Sequence, residues 1–305
     1  MTGTAADALA VTRVLDAADR IVVVSPHFDD AVLSAGGLIA ARVEARQPVE
    51  VLTVFSSARA IATRGGRHQA FTDYALRVAE DDRALAALGA RARRLGLYER
   101  LFRDPPPRGP FGLFRTSLEI ARSAETSAVQ RAIAEALNNG NAIILAPLGI
   151  GNHVDHVIVT VGALRAIRDR DAQARVLFFE DFNAMSERNR RLHPVSRLRP
   201  FPFRDAPGWA SPRTAVEMTA ISLLTRGPDP TALCDLPVRA EEWSMSALPL
   251  TTRHETAKFE ALAEYRTQTS ALGGEPQLRA LLERAHARRG GELLWRFRAS
   301  GASSS

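Results

Sequence analysis

The 305-residue chain predicts an α/β fold on a mostly parallel sheet, with an elaboration after the core. Two observations carry that prediction. Short, almost wholly apolar runs at 21–24, 49–55, 142–146 and 176–179 read as strands buried on both faces. Segments with apolar residues at helical spacing alternate with them, which makes β-α-β units, parallel pairing and right-handed crossovers the expectation.

Taken in order, residues 5–19 predict a short helix leading into a strand over 21–24. A helix over 31–44 follows, with Gly36 and Gly37 inside it. Two glycines weaken a helix, and the expected compensation is close approach to the sheet. Residues 49–55 are the second strand and 56–70 a Gly-, Arg- and Ser-containing loop; 71–88 is a helix closed by Gly89 at a C-cap position. A short third strand is expected over 94–97 and a proline-rich loop over 103–110. The helix over 124–137 stops at Asn138-Asn139-Gly140, and the strand over 142–146 stops at Pro147. A helix to about Ile167, a fifth strand over 176–179 and the acidic pair Glu180 and Asp181 complete the core.

Beyond residue 185, Pro194, Pro200, Pro202, Pro207 and Pro212 argue for loops, with one further strand expected over 215–224. Helices are expected over 254–265 and 277–287. The domain reading is a metal-binding core over 1–184, an extension over 185–298 packing on it, and a polar, disordered tail over 299–305.

Composition narrows the function classes. The net charge is +6, and all of the basic side chains but Lys258 are arginine. The arginines are scattered among acidic residues with no aromatic platform, so nucleic-acid binding is not expected. One cysteine, Cys234, excludes an intrachain disulfide and a cysteine-based metal cluster. The start of the chain lacks a cationic segment followed by an apolar one, and no apolar run has membrane-spanning length. A cytoplasmic protein without membrane insertion is the expectation.

Two stretches carry the chemistry. Ser25-Pro26-His27-Phe28-Asp29-Asp30 ends the first strand, and Gly149 to His156, with His153 and His156 three apart, follows the fourth. In a parallel sheet both loops emerge at one edge, and where the first and fourth strands lie side by side the strand order reverses, the usual place for a ligand. Each stretch alone reads as a solvated turn or helix cap; together they point to a metal site. Imidazoles and a carboxylate without thiolate suit zinc with an open position for water, although non-haem iron takes a similar set. Asp29 and His153 are then spare for proton transfer and oxyanion stabilisation.

Pro26-His27-Phe28-Asp29-Asp30 and His153-Val154-Asp155-His156 together resemble the two signature motifs of the PIG-L/LmbE-like N-acetylglucosaminyl deacetylases. The acidic helix from Arg77 to Gly89 is similar too, so the resemblance spans roughly residues 18–182, with Tyr265 and Gln268 adding to it less securely. It implies a Rossmann-like three-layer core and a zinc-dependent hydrolase, with Fe2+ as an alternative ion, that removes an acetyl or other acyl group from an amino sugar or glycoconjugate. It further implies His27, Asp30 and His156 as metal ligands and Asp29 as general base. His153 would stabilise the oxyanion or act as acid, Asp155 would orient a histidine, and Arg77 would contact substrate. For Arg77 a salt bridge on an amphipathic helix is the competing reading. The substrate pocket is expected from 56–70, 98–118 and the C-terminal third. Phe28 stands where the family usually has proline, and Ala31 where an acidic residue often follows. The form Ser-Pro-His-x-Asp-Asp-Ala looks like members that tailor glycosylated natural products. A thiol-conjugate or other non-sugar amide, and a metal-bearing sugar-binding protein without turnover, are the alternatives; Asp29 and His153 weigh against the second.

Overall fold

A computed structural model of the chain describes residues 5–58, 73–107, 110–170, 172–182, 187–198, 230, 234 and 242–298. Its centre is β1 (Arg20–Ser25), flanked by β2 (Val49–Thr53) and β4 (Ala142–Pro147). With β3 (Arg91–Arg94), β5 (Val176–Phe179), β6 (Trp243–Leu248) and β7 (Glu292–Phe297) they form one sheet in the order β3-β2-β1-β4-β5-β7-β6. The first five strands pair parallel; β7 runs antiparallel to β5, and β6 antiparallel to β7.

The predicted neighbourhood of the first and fourth strands is present, with Ile21 opposite Ile143 and Val23 opposite Leu145. β1 alternates its side chains between two cores, as the period of a strand requires. Val22 and Val24 face one apolar cluster, Ile21 and Val23 the other. The first cluster is filled by α4 (Ala124–Asn138) and α5 (Val154–Arg170). The second is filled by α1 (Ala5–Asp16), α2 (Asp30–Glu44), α3 (Tyr74–Leu88), α7 (Thr252–Glu264) and α9 (Glu275–Arg289). The result is three layers. Short helices α6 (Glu187–Leu192) and α8 (Arg266–Ala271) complete the described α-helices.

Three expectations change. The third strand pairs over Arg91–Arg94, earlier than its apolar residues suggest, because it is an edge strand whose side chains are mostly half-buried. Leu95 and Leu97 still donate to Thr53 and Val54, at 2.8 and 3.1 Å, so the extended chain runs on past the assigned strand. Second, Gly36 and Gly37 permit close contact with Lys258 and Leu250 of the C-terminal segment as well as with the β7 end of the sheet. A Cβ on Gly36 would lie 2.8 Å from Lys258 Cγ, and one on Gly37 would collide with the Leu250 side chain. Helix α2 breaks at Ala35 (φ −137°, ψ 19°), and the freed amides of Gly37 and Leu38 donate to the Glu292 carboxylate at 3.0 and 2.7 Å. Lys258 Nζ donates to the same carboxylate at 2.7 Å, so the chain's one lysine is fully buried and paired. Third, β6 and β7 were not expected. The strand expected over 215–224, the tail over 299–305 and most of the 56–70 loop lie outside the described residues. Among the described residues no helix is long and apolar enough to cross a membrane.

Candidate metal centre

The first half of the site is the turn between β1 and α2. Ser25 Oγ donates to the His27 carbonyl at 2.5 Å and accepts from Ala31 N at 3.0 Å, which ties the two ends of the turn together. Phe28 is fully buried, with its ring edge-on to Tyr74 (centroids 5.9 Å apart) and the Arg77 guanidinium 5.1 Å from its centroid. Aromatic and guanidinium packing around Phe28 thus restrains the turn. Asp29 occupies the N-cap of α2, yet its side chain makes no capping hydrogen bond. Arg77 is 2% exposed, bonds Glu99 Oε1 through NH1 at 2.7 Å and lies over the Tyr74 ring. The ion pair expected of Arg77 as one alternative exists, but it is buried behind the turn instead of on the surface.

The second half follows β4. Gly149, Gly151 and Asn152 have φ of 78°, 90° and 56°, and a Cβ on Gly149 would lie 2.8 Å from Thr160 Oγ1. This tight loop delivers His153 and the start of α5 to the end of β1. Asp181, just beyond β5, secures it from the other side by accepting from Ile150 N at 2.9 Å.

The two halves meet. Asp30 Oδ2 lies 3.1 Å from His27 Nδ1 and 3.2 Å from His156 Nε2. Ligand atoms of His27, Asp30 and His156 all fall within 4.8 Å of one another. The three histidine rings pack mutually, with centroids 5.1 to 5.3 Å apart. The outer nitrogens are held as well: His27 Nε2 is 3.1 Å from Asp155 Oδ2, and His156 Nδ1 is 2.6 Å from Asp181 Oδ1. Metal-ligating histidines commonly give their second N–H to a carboxylate, which fixes ring and tautomer. Both imidazoles here have that arrangement.

The electrostatics agree with a cation between these groups. Burial pulls His156 down, but Asp30 and Asp181 outweigh it and hold it up at about 10. His27 is likewise raised against its burial by Glu99, Asp155 and Asp30. Burial opposes ionisation of Asp30, yet His156 and His27 hold it well below the usual carboxylate range. A buried anion flanked by two imidazoles drawn toward positive charge is a setting in which a divalent ion can take the place of the protons. The donors therefore fit a metal.

Two more groups stand at the centre. Asp29 is pushed up to about 7 by burial and by the Asp30 charge, with Arg77 and His27 opposing. His153 is held down at about 3, first by burial and then by its two histidine neighbours. Its Nδ1 accepts from Asp155 N at 3.3 Å, which leaves the ring proton on Nε2.

Sequence reasoning placed His27, Asp29, Asp30, His153, Asp155 and His156 at one rim, and the structure brings all six together. It missed the partners contributed from elsewhere. Asp181 was visible as half of an acidic pair at a strand end. Arg100 and Arg103 carried no signal: Arg100 N donates to Asp155 Oδ2 at 2.9 Å, and the Arg103 guanidinium grips Asp155 Oδ1. Phe114 packs edge-on against His153, with centroids 5.3 Å apart. Arg100, Arg103 and Phe114 thus wall the site from the segment that follows β3. A groove of about 710 Å³ opens beside it, lined by Arg100, Arg103, Arg115, Arg122, Glu125 and Val154 among others.

Comparison with known proteins bears on this geometry. The PIG-L family, described as GlcNAc-PI de-N-acetylase, matches residues 22–167, which contain both motifs. The 2'-N-acetylparomamine deacetylase of Streptomyces fradiae is 35% identical over 201 residues, covering 62% of this chain and 68% of that protein. The chain belongs to the PIG-L family. The fold is shared with solved structures at lower identity. An antimicrobial pseudoaglycone deacetylase has a TM-score of 0.58 at 23% identity, covering 92% of this chain and 99% of its own. The zinc-inhibited form of teicoplanin deacetylase has a TM-score of 0.61 at 21% identity, covering 93% of this chain and all of its own. In this PIG-L chain both motifs lie within the shared three-layer core, while β6 and β7 extend its sheet.

Proposed function

We propose that the protein is a metal-dependent N-deacetylase that removes an acetyl, or a similar small acyl group, from the amine of an N-acylated amino sugar carried in a glycoside or glycoconjugate. The observation that carries this reading is the convergence of His27, Asp30 and His156 with an unligated Asp29 and a neutral His153, in a chain related to an aminoglycoside deacetylase.

His27, Asp30 and His156 would hold the ion, for which zinc is the assignment best suited to the donors. A zinc ion held there supplies Lewis acidity to the attacking water and the amide carbonyl. Asp29 takes the proton from that water; its near-neutral pKa suits a general base working at physiological pH. The same carboxyl, once protonated, is placed to pass the proton to the leaving amine. His153 serves as a neutral Nε2–H donor to the developing oxyanion, since an imidazole held near 3 is a poor proton source at neutral pH but a good hydrogen-bond donor. Asp155 and Asp181 orient His27 and His156 and keep their inner nitrogens directed at the ion. Arg77 packs on Phe28 and pairs with Glu99 behind the Asp29 turn, which supports a positioning role for it beside the substrate contact that the resemblance implies. The polar, charged groove beside His153 would receive the rest of the glycoside.

Purified protein incubated with zinc and a panel of N-acetylglucosaminyl conjugates should release acetate and a primary amine in equal amounts. Failure to release either from any amino-sugar amide, with zinc demonstrably bound, would refute the substrate assignment.

A further inference from the structure

Glu180 immediately precedes Asp181, the carboxylate that fixes His156, and it is buried among donors that come from well beyond either motif. Arg190 on α6 grips it with two prongs, Nε to Oε2 and NH2 to Oε1, both at 3.1 Å. Trp295 Nε1 on β7 donates to Oε1 at 3.0 Å, and Arg289 NH1 at the end of α9 donates to Oε2 at 3.4 Å. Both carboxylate oxygens are therefore filled. Arg190 is 1% exposed and Arg289 5%. From the same short segment as Arg190, His193 accepts from Ser196 N at Nδ1 (3.3 Å) and so carries its proton on Nε2, which donates to the Leu148 carbonyl at 3.0 Å. Leu148 leads into the loop over 149–152 that delivers His153, and its own amide donates to the Phe179 carbonyl at 3.1 Å.

We propose that Arg190, seconded by His193, is a positioning residue for the metal centre: it clamps the Glu180 carboxylate so that the adjacent Asp181 holds the His156 ring in its ligating orientation. The inference rests on the reading above, in which His156 is a metal ligand.

Stability alone does not account for the Glu180 cluster. Taking a carboxylate and two guanidinium groups out of water is costly, and an apolar set of the same volume commonly stabilises a core as well or better. What a two-pronged arginine adds is direction, because its planar fork fits a carboxylate in one orientation. Glu180 and Asp181 are joined by one peptide bond, so a rotation at the first is felt at the second. Asp181 must in turn satisfy two fixed donors, His156 Nδ1 at 2.6 Å and Ile150 N at 2.9 Å. His193 holds the near end of the loop that Ile150 belongs to. The chain beyond β5 thus reaches the ligand shell by two routes. One runs from Arg190 through Glu180 and Asp181 to His156; the other runs from His193 through Leu148 into the loop over 149–152.

Zinc affinity of the full chain, measured by competition with a chromophoric chelator, tests this without any substrate. Arg190→Met should weaken zinc binding by at least about threefold, less than the roughly 10- to 100-fold that follows loss of a direct partner of a ligating histidine. The deciding comparison is a cycle with Asp181→Asn. Because Arg190 acts through Asp181, the double variant should bind zinc within about twofold of Asp181→Asn alone. Gly37→Ala, whose new methyl meets Leu250, controls for destabilisation: it should lower the melting temperature and leave zinc affinity at the wild-type value. Wild-type affinity in a folded Arg190→Met protein overturns the inference, and so do losses that multiply in the double variant. Should Arg190→Met not fold, Arg190→Lys is held to the same two criteria, since an ammonium keeps the charge without the two-pronged grip. Proton NMR of the metal-free chain separates this inference from the reading it rests on. The His156 Nδ1 proton, bonded to Asp181 at 2.6 Å, should give a downfield signal in slow exchange with water, and Arg190→Met should weaken or abolish it. A chain that binds no zinc yet shows this coupling refutes the metal reading alone; a signal unmoved in Arg190→Met overturns the positioning role, whatever the ion does.

Discussion

Replacing Asp181 by Asn tests how far the metal centre depends on a residue that lies in neither motif. Asp181 is 1% exposed and accepts two hydrogen bonds, from His156 Nδ1 at 2.6 Å and from Ile150 N at 2.9 Å. An Asn side chain has the same shape but only one acceptor oxygen. Whichever donor it keeps, the other then faces an amide NH2 and is left buried without a partner, which costs about 1–3 kcal/mol. If Asn keeps Ile150, His156 loses the carboxylate that fixes its tautomer; if it keeps His156, the loop that carries His153 loosens. Either way the carboxylate's charge is gone, and losing such an outer partner weakens metal binding by about 10- to 100-fold, or about 1.4–2.7 kcal/mol. Competition with a chromophoric zinc chelator measures the effect directly, and a thermal melt in the presence of chelator separates it from global destabilisation. Wild-type zinc affinity in a folded Asp181→Asn protein would refute the claim that this carboxylate orients His156.

Other outcomes follow from the same structure. Asp29→Asn should lower kcat by about 10²- to 10⁴-fold while bound zinc, read by atomic absorption, stays near one equivalent; undiminished turnover would remove Asp29 as the base. Gly37→Ala should destabilise the fold by about 1–3 kcal/mol in urea unfolding, because the new methyl collides with Leu250; a neutral effect would mean that Leu250 yields without strain. His286 should make the fold acid-sensitive. Burial, Lys258 and Arg289 hold it down at about 3, and Lys258 Nζ lies 3.4 Å from its Nε2. Glu255, bonded at Nδ1 but 30% exposed, is too screened to reverse this. A histidine whose folded pKa is depressed contributes its stability fully above its unfolded value near 6.5 and loses it as the pH falls from there toward 3. Between pH 6.5 and 5 the loss should be about 2 kcal/mol, and His286→Gln should flatten that slope of stability against pH.

The four central strands and both motif loops were legible because each depends on local pattern. A continuous β-branched run such as Ile21 to Val24 has few stable places outside a doubly covered sheet, and ionisable groups clustered at its carboxyl end have nowhere to face but the crevice. The edge strand was displaced in prediction because Arg91, Arg93 and Arg94 gave no apolar signal. Strands β6 and β7 escaped notice for a related reason. Strand β7, Glu292-Leu293-Leu294-Trp295-Arg296-Phe297, hardly alternates; β6 does alternate over Trp243-Ser244-Met245-Ser246-Ala247, but it is short and follows a proline-rich stretch, and its place in the sheet comes from pairing with β7, which in turn pairs with β5.

What the chain determined by itself is therefore the order of its buried strands and the chemical kinds of group at two of their ends. The residue spacings that put His27 beside Asp30, and His153 near His156, are properties of a turn a few residues long. The partners of those groups were decided only by tertiary structure. Asp181 reaches His156 across 25 residues, Arg103 reaches Asp155 across 52, and Glu292 braces the break in α2 across 255. Such pairings have no periodicity to read, because they arise from which strand lies next to which and not from the repeat of any single element.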